Sequence, residues 1–212
     1  MNRATKFTAA AWGIILGISG LSHGFFEALQ GSTPTEGLFI NAIGETHRMW
    51  EHGAEPAITI IPNFLITGLA AMLVGLAIII WSARFLDRRH GATVFLLLVV
   101  LLVLVGGGIA QVVLFPVVWA VATRIHKPLT WWRRVLPENA RGLLARLWPW
   151  VLGASAALLL LTLAVATFGY FPGVNDDEQI LNIMAVSLVG GFGLYFVAAL
   201  SGFAYDIRRQ GA

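Results

Sequence analysis

The sequence predicts an all-α fold: a polytopic transmembrane bundle with six membrane-entering helices and a small helical cap on its outer face. Three observations lead to that class. First, 58% of the 212 residues are hydrophobic and only 12% are charged, with a mean hydropathy of +0.78. Soluble domains carry about 25% charged residues, so this chain has too little polar surface to solvate a globule. Second, its apolar runs have the length of about 20 residues that a bilayer-crossing helix needs. Third, lysine and arginine sit beside those runs, where they act as topology signals.

The length fits one integral membrane domain over 1–212 and no second domain. With no cysteine, the chain has no disulfide, thiolate metal site or cysteine nucleophile. The sequence pI near 9.8 suggests a nucleic-acid partner at first sight. The positions of the basic residues beside apolar spans assign them to the membrane instead.

The first span is Phe7 to Leu29. Its basic start and the small residues near Gly17 to Gly20 imitate a signal peptide. The apolar run continues far enough to cross the bilayer, so an uncleaved helix is expected. At 100° per residue Gly13, Gly17, Gly20 and Gly24 fall within about 60° of one another. Such a stripe lets a neighbouring helix approach closely.

Residues 30–56 form the expected outer cap. Thr33-Pro34-Thr35-Glu36 matches a capping box with proline at the first helical position. Gly44 and Gly53 bracket a second short stretch. Two short helices are therefore expected there. The next span, Ala57 to Trp81, is expected to become helical at Pro62.

Thr93 to Ala122 carries no charge over 30 residues. As one helix it would run about 45 Å, well beyond a hydrocarbon core of about 30 Å. Gly106-Gly107-Gly108 lies near its middle, and consecutive glycines favour turns over helix. A single crossing leaves five of the 14 Lys and Arg on one side and nine on the other. A fold-back places all but Arg48 on one side, as the positive-inside rule favours. The segment is therefore read as a short pair, about 92–106 and 108–126, with both termini cytoplasmic in a cell (plasma) membrane.

Residues 123–148 read as a basic, tryptophan-rich cytoplasmic interfacial loop. Trp131, Trp132, Leu136, Leu143 and Leu144 interleave there with Arg133, Arg134, Arg141 and Arg146, a pattern suited to anionic lipid. A plain basic loop obeying the topology rule is the alternative. Trp150 to Phe171 and Ile180 to Tyr205 complete the spans; the last has its own small-residue stripe, including Ser187, Gly191 and Gly202.

The reactive chemistry collects on the outer side. His23 and Glu27 lie one turn apart on the first helix, close to its glycine stripe, and so are expected to face protein. Intramembrane ionisable groups are costly and mark functional sites by default. Asn63 and Asn182 enter the membrane near the same boundary and complete the expected polar pocket for a proton, a cation or a small polar ligand. Gln111, just after the triple glycine, is read as an interhelical hydrogen-bonding group. In the cap, His47, Glu51 and His52 suit a divalent metal by ligand type. Their spacing is not HExxH, and His47 and His52 do not share a helical face. A solvated polar loop competes with that metal reading.

No span contains lysine, which removes a retinal Schiff base, and the phosphate-loop and G-x-S-x-G motifs are absent. No catalytic constellation is legible. A binding or transport-type membrane protein leads, with a non-catalytic subunit, contacting a membrane-protein partner or a second copy, as the first alternative. A metal-dependent membrane enzyme using His23, Glu27, His47, Glu51 and His52 is the second.

Overall fold

The computed structural model describes residues 1–211. Seven α-helices account for most of the chain: α1 (Arg3–Leu29), α2 (Phe64–Arg84), α3 (Gly91–Leu104), α4 (Ala110–Ala122), α5 (Thr130–Val135), α6 (Glu138–Phe168) and α7 (Asp177–Gly211). Helices α1, α2, α6 and α7 are long and apolar enough to cross a membrane. Their outward side chains agree with a membrane setting. Leu73 on α2 and Val186 and Val189 on α7 are 69–73% exposed, a cost in water that lipid removes.

Helix α1 is the hub. It packs against α2, α4, α6 and α7, and 56% of its span is buried, against 22–28% in the other three. The glycine stripe explains the tightest of these contacts. A methyl group at Gly75 of α2 would lie 2.8 Å from the Gly17 carbonyl oxygen, and one at Gly24 would lie 2.8 Å from the Met72 backbone nitrogen. Backbones this close leave no room for side chains on either helix. Farther along α1, Trp12 stacks on Tyr195 of α7 with ring centroids 3.7 Å apart.

The uncharged segment breaks at the three glycines. Helices α3 and α4 are about 20 Å long each and pack on one another. Gly106 and Gly108 take φ of +100° and +95°, conformations that side-chain-bearing residues rarely adopt.

This fold-back gathers the basic segments at one end of the bundle. Lys6 Nζ lies 2.8 Å from Asp87 Oδ2 in the α2–α3 turn, and its ammonium holds the Asp87 carboxyl below the usual carboxylate range. The Asp87 carbonyl also meets His126 Nε2 at 2.6 Å. The Asn2 amide donates to the carbonyls of Arg124 and Lys127, and the Gln210 amide donates to Asn2 Oδ1. Asp206 of α7 accepts from the backbone N–H groups of Ala4 and Thr5 at 3.0 and 2.8 Å, capping α1 from the far end of the chain. The start of α1, the α2–α3 turn, residues 124–127 and the end of α7 thus lie together.

The segment read as an outer helical cap is not helical. Residues 30–63 carry β1 (Phe39–Asn41) paired antiparallel with β2 (Pro56–Ile58), and a single 3-10 turn at Glu45–His47. The capping-box threonine has another use: Thr33 Oγ1 donates to Gln30 O at the end of α1, and Thr33 O accepts from Phe64 N at the start of α2. Gly37 at φ +152° then turns the chain into β1. Ile40, Ala42 and Ala57 form a small apolar cluster with Phe64 beneath the strands.

The basic segment is also more regular than a loop. After α5, helix α6 begins at Glu138 and continues through Pro149 into its membrane-length portion. Several tryptophans near the helix ends bond within the protein. Trp148 Nε1 donates to Thr8 Oγ1 and Trp81 Nε1 to Gly91 O, whereas Trp131 and Trp150 remain exposed.

Candidate functional site

His23 and Glu27 both turn into the protein, at 6% and 0% exposure. The fold-back is moulded around them. A Cβ at Gly106 would strike the Glu27 carboxylate, and one at Gly108 would strike the His23 imidazole. The triple glycine therefore serves two requirements, the left-handed backbone of the turn and clearance for two ionisable side chains. Both Glu27 oxygens are buried without a hydrogen-bond partner among the described residues.

The partner of His23 comes from the segment that follows α1 and carries β1 and β2. Backbone bonds stitch that segment to the fold-back: Ile109 N to Pro56 O, Gly106 N to Ile58 O, and Ile60 N to Leu104 O, at 2.8–3.1 Å. Thr67 reinforces the seam by donating to Val105 O at 2.8 Å and bonding Thr59 Oγ1 at 2.6 Å. Ala42 N donates to Glu55 O on the other side. Fixed in this way, Glu55 Oε2 stands 2.7 Å from His23 Nε2, with both side chains largely shielded from solvent.

The hydrogen bonds fix the proton count of this pair. His23 Nδ1 lies 3.0 Å from the Ser19 carbonyl, which can only accept, so Nδ1 carries a hydrogen. One further proton lies between Nε2 and Glu55. Written as imidazolium–carboxylate or as imidazole–carboxylic acid, the pair is neutral overall, which suits its burial.

Beside the pair lies a half-open cavity of about 330 Å³ between α1, α4, α6 and α7. Most of its wall is apolar, including Ile15, Leu114, Leu159 and Leu188. The polar groups on it are Ser19, His23, Glu55, Gln111 and Thr162. Gln111 is 1% exposed. Its amide nitrogen meets Gly107 O. Gln111 Oε1 is buried, out of reach of water, without a hydrogen-bond partner among the described residues.

The structure places the other sequence candidates elsewhere. Asn63 caps α2, accepting from Ile66 N at 3.1 Å and donating to Ser32 Oγ. Asn182 is exposed on α7, and neither asparagine lines the cavity. His47 sits on the 3-10 turn beside Thr46. Glu51 and His52 instead converge on Asp177 at the start of α7, with one ligand atom from each of the three within 4.8 Å of the others, all on exposed residues. Trp50 holds that segment in place, donating to Ala166 O at 3.0 Å and packing against Gly169. A separate open groove of about 410 Å³ lies on the cap between Glu36, Glu45, Arg48 and Phe64.

Glu55 and Gln111 are therefore the site residues whose roles sequence reasoning missed. Glu55 was visible only as one of several cap carboxylates, and Gln111 only as a helix-packing amide. Comparison with known protein families, with curated proteins and with solved structures finds no match.

Proposed function

We propose that this membrane protein binds a small molecule in the cavity beside the His23–Glu55 pair. The observation that carries this reading is the cavity itself, a mostly apolar space of about 330 Å³ with a few polar groups on its wall. Binding sites for small molecules share that character: about 300–1,000 Å³, mainly apolar, with few convergent polar groups. The reading replaces the small polar pocket that the sequence suggested, since of its four residues only His23 is on the cavity wall, without Glu27, Asn63 and Asn182.

In this proposal all six apolar helices enter the membrane, with α3 and α4 as a short pair whose turn at 105–108 is buried in protein, as non-helical backbone at depth requires. The positive-inside rule assigns the basic end, with both termini, to the cytoplasm of a cell membrane, where residues 123–148 meet anionic lipid. The cavity and the strands then face outward. The metal-enzyme reading loses support, because His23 meets only Glu55 of the 45–55 segment while Glu51 and His52 gather at Asp177.

The test is native mass spectrometry of the protein released gently from its own membranes. Wild type is expected to retain a small bound mass. Ala110→Trp and Leu163→Trp, which fill the cavity from α4 and α6, are expected to lose it. Identical spectra for all three proteins would overturn the proposal.

A further inference from the structure

We infer that the open groove beside β1 is a second binding site, one that takes a zwitterion with an apolar side chain. A carboxylate, an ammonium and an apolar body together are the chemistry of an amino acid or a short peptide. The groove is separate from the cavity, and the inference does not depend on the proposal made for the cavity.

The first argument concerns charge. Arg48, Glu36 and Glu45 all line this groove of about 410 Å³, a size within the range of small-molecule sites. Yet Arg48 pairs with neither carboxylate: the ion pairs among the described residues are Lys6–Asp87 and His23–Glu55. Opposite charges are thus held in one groove without closing on each other. Arg48 is the one lysine or arginine between Lys6 and Arg84, so an anion held on this segment is held by it. Its guanidinium is half sunk in the protein. Nε is buried without a partner among the described residues, while the two terminal nitrogens, also without a partner there, stay open to solvent. The group has lost part of its hydration and gained no bond in return. Its open edge is the planar fork that matches a carboxylate.

The second argument concerns the walls. Phe39 and Phe64 line the same groove, and Phe39 is 72% exposed, so an apolar body has a surface to cover. The walls are pinned before any ligand arrives. The Gln30 amide donates to the carbonyls of Asn41 and Ala42 at 3.1 and 2.8 Å, and Phe64 N donates to Thr33 O at 3.0 Å. A pre-formed groove spares the ligand the cost of ordering it. A simple anion would meet Arg48 but be repelled by two glutamates, and a simple cation would meet the glutamates but be repelled by Arg48. A zwitterion satisfies both signs at once.

The experiment titrates three probes of one shape into the protein in nanodiscs of dioleoylphosphatidylcholine at pH 7, where their charges are set. The probes are L-phenylalanine, 3-phenylpropanoate, which lacks the ammonium, and 2-phenylethylamine, which lacks the carboxylate. Affinities are read by calorimetry against empty nanodiscs. Wild type is expected to bind phenylalanine about tenfold tighter than either analogue, as one added charge-assisted contact implies. Arg48→Met is expected to bring phenylalanine within about twofold of 2-phenylethylamine, and Glu36→Gln combined with Glu45→Gln within about twofold of 3-phenylpropanoate. Phenylalanylglycine, as a fourth probe, separates the two sources of this chemistry: tighter binding than phenylalanine assigns a short peptide, and equal or weaker binding assigns a free amino acid. Because the comparison of analogues uses wild type alone, the inference stays testable even if a variant folds poorly. Equal binding of the three probes, binding of none, or a preference for phenylalanine that Arg48→Met leaves intact would overturn it, and none of these results touches the cavity proposal.

Discussion

His23 Nε2 and Glu55 Oε2 lie 2.7 Å apart, so a residue of the first helix and a residue of the β1–β2 segment share one buried proton. Their separation in sequence hides the contact, and three structural joints create it: the β1–β2 pairing, the seam between that segment and the fold-back, and the glycine clearance beside the imidazole.

Breaking this pair from one side should be worse than removing both partners. An uncompensated buried charge costs about 3–5 kcal/mol. His23→Ala and Glu55→Ala are each expected to lower unfolding stability markedly, and the double variant is expected to be no worse than the poorer single one. Chemical unfolding in mixed micelles, arranged as a double-mutant cycle, measures the coupling. Strict additivity would show that the two groups do not act together. His47→Ala, on the 3-10 turn, should leave stability within about 0.5 kcal/mol of wild type.

Gly106→Ala and Gly108→Ala should each be severely destabilising, by more than about 2 kcal/mol, because left-handed backbone strain adds to a side-chain collision. Gly153→Ala on α6 is the control: nothing lies within 4 Å of its added methyl group, and alanine is the better helix former. Glu27→Ala should partly rescue Gly106→Ala, since it removes the colliding carboxylate but not the strain. Melting temperatures in detergent decide the matter, and absence of rescue would place Glu27 outside the contact.

Gly17→Leu or Gly24→Leu should separate α1 from α2 and destabilise the protein by more than about 2 kcal/mol. Phe25→Leu, on a half-exposed side chain of the same helix, should be nearly neutral. Equal effects at both faces would remove the glycine stripe as the basis of the α1–α2 contact.

Acid should weaken the basic end first. The Lys6 ammonium depresses the Asp87 carboxyl, so the stabilisation is complete above the ordinary aspartate value near 3.9 and disappears as pH falls through the lower folded value. Asp87→Asn should lower stability at pH 7 by up to about 1 kcal/mol and flatten the loss seen below about pH 4. A steep acid limb unchanged in the variant would assign that loss to other carboxylates.

Membrane sidedness is measurable because the chain has no cysteine of its own. Single cysteines replacing Arg88, Arg134 or Gln210 should resist an impermeant thiol reagent added outside cells. Cysteines replacing Glu36 or Asp177 should react. Labelling at 134 without labelling at 88 would contradict the shared end that the proposed topology requires.

What was legible in the sequence was mainly local. The glycine stripe of α1 and the break at Gly106–Gly108 follow from helical geometry and glycine's backbone freedom, and the structure contains both. The burial of His23 and Glu27 followed from their place beside that stripe. The cap was misread because Thr33 satisfies the end of α1 and the start of α2 instead of starting a new helix. Asn63 was misassigned for a related reason: an asparagine just before a helix is a good cap before it is a ligand. The Glu55 contact and the unsatisfied Gln111 oxygen depend on how three separate segments meet, which no periodicity encodes.

The cap that Asp206 places on α1 has a consequence for biogenesis. Thr5 and Asp206 are 201 residues apart. At about 5–20 residues per second, a ribosome delivers the aspartate roughly 10–40 s after the threonine. Throughout that interval the opening turn of α1 must satisfy its free N–H groups with water and lipid headgroups. Helix α1 is therefore unfinished until the end of α7 has been made, and synthesis of α7, more than insertion of any earlier span, is the step at which the opening turn of α1 becomes protected from amide exchange.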